Sequence, residues 1–199
     1  MTARIRIRVA VPGDAPFAAS LIYLSLGSLA DHLFGQRKEK IEKLLVKLFA
    51  RNAGRFGYQY AFVAELDDDP VGLLIASRGA DINRLNLETI PHLIKVLGFA
   101  NAVRFVWRAV TLPGGREAED DEFFISNLGI LPSMQGCSLG SQLLEHAEQL
   151  ARENNLLKCS LIVGWHNTSA RRLYERIGYQ IVEAVKDENH GYYRMAKAL

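Results

Sequence analysis

The chain has 199 residues, with 24 Lys and Arg against 22 Asp and Glu, a net charge of +2 and 49% hydrophobic residues. That length points to one domain over 1–199, the hydrophobic content excludes a disordered chain, and the balanced charge excludes a dedicated nucleic-acid binder. No apolar run is long enough for a transmembrane helix, and MTARIRIRVAVPGD lacks the apolar centre of a signal peptide, so a cytoplasmic location is expected.

Arg4, Arg6 and Arg8 alternate with Ile5, Ile7 and Val9, a period of two that marks a half-buried strand. Its arginine row reads as a solvated sheet face or a phosphate contact. Pro12-Gly13 breaks the strand. Asp14 reads as a helix cap, with Pro16 in the first turn and Phe17, Leu21, Leu24 and Leu26 pointing inward. A second helix is predicted over 38–51, with Ile41, Leu44, Leu45 and Leu48 on one stripe. Asn52, Gly54 and Gly57 end it. Residues 60–66 and 71–77 read as a hairpin around Asp67-Asp68-Asp69-Pro70.

Polar residues follow to about Glu88. Residues 89–112 are helix-like and unusually apolar, and Gly98 divides them. Pro113-Gly114-Gly115 stops the segment, and a charged loop runs over 116–122. A strand is predicted over 123–130, then a turn over 132–140. The helix that follows carries Leu139, Leu143, Ala147, Leu150 and Ala151 at helical spacing. Residues 156–164 form an apolar strand of the fully buried kind. A short helix over 167–177 is closed by Gly178. Residues 179–185 and 192–198 pair as a last hairpin. The order specifies an α+β sheet with one strong strand–loop–helix unit.

Cys137 and Cys159 read as reduced thiols that serve as small packing residues, and a Cys137–His146 nucleophile–base pair has no motif behind it. The five histidines are scattered without metal-ligand spacing, so no metal is expected.

The informative run is Asn127-Leu-Gly-Ile-Leu-Pro-Ser-Met-Gln-Gly-Cys-Ser-Leu-Gly-Ser-Gln-Leu-Leu144. A strand stops, a proline turn follows, and a helix begins among small residues. The first N–H groups of a helix lack internal acceptors and lie at the positive end of its dipole. Gly136, Ser138 and Gly140 are small enough for a ligand to approach the backbone. The result is ordinary capping or an anion cradle suited to a diphosphate. It matches neither GxxxxGK[ST] nor GxGxxG.

Gln135-Gly-Cys-Ser-Leu-Gly140 resembles the Q/R-x-x-G-x-G/A signature of the GNAT superfamily of N-acetyltransferases. Leu128-Gly-Ile-Leu-Pro132 resembles its L-x-V-x-P strand end, and Asn167-Thr-Ser-Ala-Arg-Arg-Leu-Tyr-Glu-Arg-Ile-Gly-Tyr179 its N-x-x-A-x-x-L-Y-x-x-x-G-F/Y motif. The three occur in the expected order and cover 123–180 closely. The resemblance implies a mixed, mostly antiparallel central sheet flanked by helices, with 89–112 as a helical insert between strands 3 and 4. It implies acetyl-CoA as acyl donor and an amine acceptor, either a small molecule or a protein. The coenzyme-binding residues it implies are Leu128, Gly129 and Ile130 on the strand, Gln135, Gly136, Cys137, Ser138, Leu139, Gly140 and Ser141 in the loop and helix start, and Asn167. Ser138 stands where the signature has its first glycine.

The implied reaction is direct attack of a primary amine on a thioester in a ternary complex. Tyr174 is the implied acid that protonates the departing thiolate. Members often place a glutamate on strand 4, where this chain has Phe124. Glu122, two residues earlier on the same strand face, is the candidate base, against a reading as one more solvated residue of the acidic run 119–122. Asn127, Ser126, His190 and Tyr192 are weaker candidates. Arg171 and Arg172 read as solvated helix arginines or phosphate contacts. Without a strand-4 glutamate, a non-catalytic coenzyme-A-binding or regulatory module is the alternative. The insert reads as packing on its own domain, a substrate lid, a homodimer face, or a surface resting on membrane, where Lys95, Arg104 and Arg108 would form a basic stripe.

Overall fold

The computed structural model describes residues 5–188 and 190–199; Arg4 of the arginine row lies outside them. Among the described residues seven strands form one sheet in the order β1 (Ile5–Val9), β2 (Ala61–Leu66), β3 (Asp69–Arg78), β4 (Phe123–Ile130), β5 (Lys158–Gly164), β7 (Tyr192–Ala198), β6 (Gln180–Val185). Only β4 and β5 run parallel; every other neighbour pair is antiparallel. This is the mixed, mostly antiparallel α+β sheet that the motifs imply.

Helices cover both faces. On one side lie α1 (Ala15–Leu26), α2 (Ser28–Phe34), α3 (Lys38–Ala50), α4 (Ile82–Leu97) and α5 (Phe99–Val110), around a core that includes Leu21, Ile22, Leu45, Phe49, Leu73 and Ile75. On the other lie α6 (Leu139–Glu153) and α7 (Thr168–Arg176), around Leu74, Ile125, Leu143, Leu161 and Met195. Adjacent β3 residues feed opposite cores, which is why β3 reads as a continuous apolar run. The β2–β3 hairpin turns on Asp67 and Asp68, both at positive φ (51° and 69°), as a two-residue turn compatible with strand twist requires.

Several sequence expectations need correction. The arginine row is solvated only in part: Arg6 and Arg8 clamp the buried Glu65 at 2.7 and 2.6 Å, while the Arg6 side chain keeps 55% of its surface exposed. Asp14 does not cap α1 with its side chain. It accepts the Val11 N–H at 2.8 Å and pairs with Arg8 at 2.7 Å. Leu24 is exposed, because α1 buries its small-residue face through Ala15, Ala18, Ala19, Leu21 and Ile22. Helix α2 is an addition: Gly27, at φ 57°, breaks what reads as a single helix followed by a loop. The insert begins earlier than residue 89, since α4 starts at Ile82. Its polar first turns mask a buried stripe of Leu85, Thr89 and Leu93, spaced four apart. Gly98 does divide the insert, at φ 79°.

Candidate active site

β4 and β5 pair over three positions only, Phe123 with Cys159, Phe124 with Ser160 and Ile125 with Leu161. Beyond Ile125 the strands are no longer paired to each other. On its β3 side, β4 slips register at the same place. Ile75 pairs with Asn127 while Ala76 pairs with Ile125, so Ser126 is the extra residue of a bulge. A bulge bends its strand. It lies where the β4–β5 ladder ends, so Ser126 to Ile130 present backbone to a cleft rather than to β5.

Both walls of the cleft are tied down. On the α1 face, Asn127 Nδ2 donates to Ser25 Oγ at 2.7 Å. A Cβ at Gly129 would stand 3.0 Å from Leu21 Cβ, so glycine there lets α1 lie against the open half of β4. On the opposite face β4 leads through the short turn Pro132–Met134 into the Gln135–Ser138 loop and α6. Gly136 has φ 85° and open space where a Cβ would stand. Ser138 occupies the left-handed region, at φ 61° and ψ 3°. That region favours glycine, so this serine retains the backbone shape the signature's glycine provides, at a conformational cost. The first helical bond of α6 runs from Gln142 N–H to the Ser138 carbonyl at 3.1 Å, leaving the N–H groups of Leu139, Gly140 and Ser141 without helical acceptors. Gln135, Gly136, Cys137 and Ser138 are exposed around this helix start. Such a cradle fits a diphosphate.

Leu139 contributes backbone only, because its side chain is buried in the core. Gly140 has a packing reason as well, since a Cβ there would stand 3.0 Å from Leu173 Cδ2 of α7. The side chains of Leu128 and Ile130 pack against the α6-side core, so what these residues offer the cleft is main chain. Asn167 caps α7, accepting the Ala170 N–H at 3.2 Å. Cys137 is exposed, contrary to its reading as a buried packing residue, while Cys159 is buried. Cys137 and His146 do not form a reactive pair: His146 packs edge-on against Phe62, 4.9 Å between ring centres.

Tyr174 is buried, 7% exposed, and its desolvation pushes the phenol up to about 12. The phenol is protonated at neutral pH, the form in which it can donate a hydrogen bond. Arg171 pairs with Glu175 at 3.2 Å and lies over the Tyr193 ring.

Glu122 is not solvated. It is 3% exposed, takes two hydrogen bonds from Arg194 Nη1 at 3.1 and 3.0 Å, and accepts the Glu119 N–H at 3.0 Å. Phe124 is 2% exposed and lines a small cavity with Ser126, Arg55, Ile75, Ser77 and Asn86. A larger cavity opens on the α1 face, lined by Ser28, His32, Thr111, Pro113, Asp187 and His190. Ser28 lies three residues beyond the Ser25 contact with β4, and the Trp165 N–H ties the end of β5 to the Gly191 carbonyl beside His190. In the cavity the His32 and His190 rings meet at a tilt of 56°, 4.4 Å between centres. Burial, with help from His190 and Arg108, lowers the His32 pKa and keeps it neutral. Sequence reasoning passed over His32, because 158 residues separate it from His190 and no spacing signals their contact.

The family model described as "Acetyltransferase (GNAT) family" matches residues 28–179. The chain belongs to the GNAT acetyltransferase family. Acetyl-CoA is the acyl donor of GNAT enzymes. A curated relative, an uncharacterized N-acetyltransferase YycN of Bacillus subtilis (strain 168), is 36% identical over 69 residues, 35% of this chain. The match spans 44% of that relative's length. Among solved structures, one titled simply as an acetyltransferase aligns with a TM-score of 0.73 and 24% identity, covering 97% of this chain and 98% of its own. An N-acetyltransferase of Staphylococcus aureus Mu50 aligns with a TM-score of 0.73 and 21% identity, covering 96% and 99%. The PaiA N-acetyltransferase of Thermoplasma acidophilum, solved with coenzyme A, aligns at 0.57 and 13% identity, covering 98% and 99%. At these identities the likeness is one of fold, and this GNAT chain's own chemistry rests on its residues.

Proposed function

We propose that the chain is an N-acetyltransferase, moving an acetyl group from acetyl-CoA to a primary amine by direct attack. The observation that carries this reading is the end of the β4–β5 ladder at Ile125 and Leu161, beside a helix start whose first amides are free. The main chain of Gln135 to Ser141 would hold the diphosphate, and that of Leu128, Gly129 and Ile130 the coenzyme's arm. Bound there, acetyl-CoA supplies an activated carbonyl and a thiolate leaving group. Tyr174 donates the proton the departing sulfur requires. Asn167 holds the start of α7 through Oδ1, and its side-chain amide N–H groups would meet the coenzyme's arm.

The amine enters from the α1 face and must lose a proton. Glu122 reaches it only through water, while still bound by Arg194. His32 and His190 form a second candidate base. The acceptor's size, and whether it is a small molecule or a protein amine, is the finer part of the proposal.

Calorimetry with coenzyme A and acetyl-CoA, followed by thiol release over a panel of polyamines, amino acids and peptide N-termini, tests this reading. Binding together with amine-dependent thiol release is the expected result. Absence of coenzyme binding by the folded chain overturns it. Binding without turnover across the panel favours the other reading, a coenzyme-binding or regulatory module. Phe124 at the glutamate position and the engaged Glu122 carboxylate are the observations behind that alternative.

A further inference from the structure

Helix α5 carries more apolar surface than its own fold covers. Ala102 and Phe105 are buried, and Phe105 anchors the helix edge-on to Phe34, 4.9 Å between ring centres. Yet Phe99 is 71% exposed, Val103 51%, Trp107 67% and Val110 71%. At about 100° per residue these four fall within an arc of about 80°, adjoining the buried side rather than scattered around the helix. Arg104 and Arg108 lie along the polar edge of that arc, and the Arg108 guanidinium reaches the Leu33 carbonyl at 3.5 Å. On α4, Leu87 and Ile94 are exposed as well, at 67% and 37%. From 89 to 112 the sequence has Lys95, Arg104 and Arg108 and no acidic residue.

We propose that the exposed face of α5 docks on an anionic lipid surface, with Phe99, Val103, Trp107 and Val110 entering the interface and Lys95 and Arg104 meeting the headgroups. Aromatic and aliphatic side chains on one arc with cations at its border are what such a surface binds. No single helix among the described residues is long and apolar enough to span a bilayer, so the helix lies on the membrane rather than crossing it. Charge also separates lipid from a second copy as occupant. A two-fold contact sets the same patch against itself, and these cations would then meet like charge with no carboxylate from 89–112 to offset it. Thr111 and Pro113, just past α5, line the acceptor-side cavity, so docking would hold that opening near the lipid surface.

Sedimentation of the full chain with phosphatidylcholine vesicles, with or without about one-third phosphatidylglycerol, tests this. Binding to the anionic vesicles, weak binding to pure phosphatidylcholine, and release by salt are expected. Phe99→Ser with Trp107→Ser should lower partitioning at least about tenfold, and Arg104→Glu at least about fivefold. All three positions are exposed, and unchanged circular dichroism and unfolding midpoint verify the fold. Equal sedimentation of the wild type and the double variant overturns the proposal. So does a wild-type dimer by light scattering that the double variant turns into a monomer while neither binds vesicles.

Discussion

The two ends of the β4–β5 seam are built on opposite principles. At the closed end three paired positions are reinforced by side chains: Glu122 is bound by Arg194, and Asp121 pairs with Lys158 at 2.8 Å. At the open end the ladder is absent, β4 is bulged, and the loop beyond it holds Gly136 and Ser138 at positive φ. One end satisfies its polar groups internally; the other leaves the first amides of α6 without helical acceptors. The difference teaches that a binding cleft in a continuous sheet requires a nearby region rigid enough to keep the separated strands in place.

Breaking the closed end should give the largest effect. Arg194→Met strands the buried Glu122 carboxylate and is expected to cost about 3–5 kcal/mol in chemical denaturation. Glu122→Gln sharpens the comparison: if its turnover per folded molecule matches the wild type, Glu122 is structural and the base lies elsewhere. At the open end, Tyr174→Phe should lower turnover by about a hundredfold with coenzyme affinity unchanged, read by thiol release and calorimetry. Unchanged turnover removes Tyr174 from the chemistry.

Gly140→Asp should weaken coenzyme binding by at least about tenfold, since it sets a negative charge at the helix start and crowds Leu173. Acid provides a comparison away from the seam. Arg6 and Arg8 hold the Glu65 carboxyl below its usual range, and Arg8 does the same for Asp14. A depressed folded-state pKa contributes stability that is present above the unfolded value, near pH 4, and is lost as pH falls through the folded one. Unfolding midpoints should therefore drop below about pH 4, and Arg8→Met should flatten that slope. The smallest effect is expected from Ser138→Gly. It relieves a left-handed serine and should raise stability by no more than about 1 kcal/mol, with coenzyme affinity retained.

The loop was legible because its chemistry is local. Small residues follow a strand, and β4 and β7 have the bounds predicted from sequence, 123–130 and 192–198. The histidine pair, the Glu122–Arg194 pair and the Arg6–Glu65–Arg8 clamp were not legible, since each joins residues that only sheet pairing or loop packing brings together. Leu24 misled for a related reason: a hydrophobic residue inside a helix says nothing of which arc the core takes when alanines pack closer.

From its sequence alone the chain specified an α+β order, a small-residue helix start after a strand, and the three motifs of a GNAT acetyltransferase. Those features are set by backbone conformational preference and short spacing, which act within a few residues. The tertiary structure decided where β4 leaves β5, which carboxylate is bound and which histidines meet. It also decided that α5 leaves Phe99, Val103, Trp107 and Val110 exposed. These depend on pairing and burial between segments far apart in the chain, and no local preference encodes them.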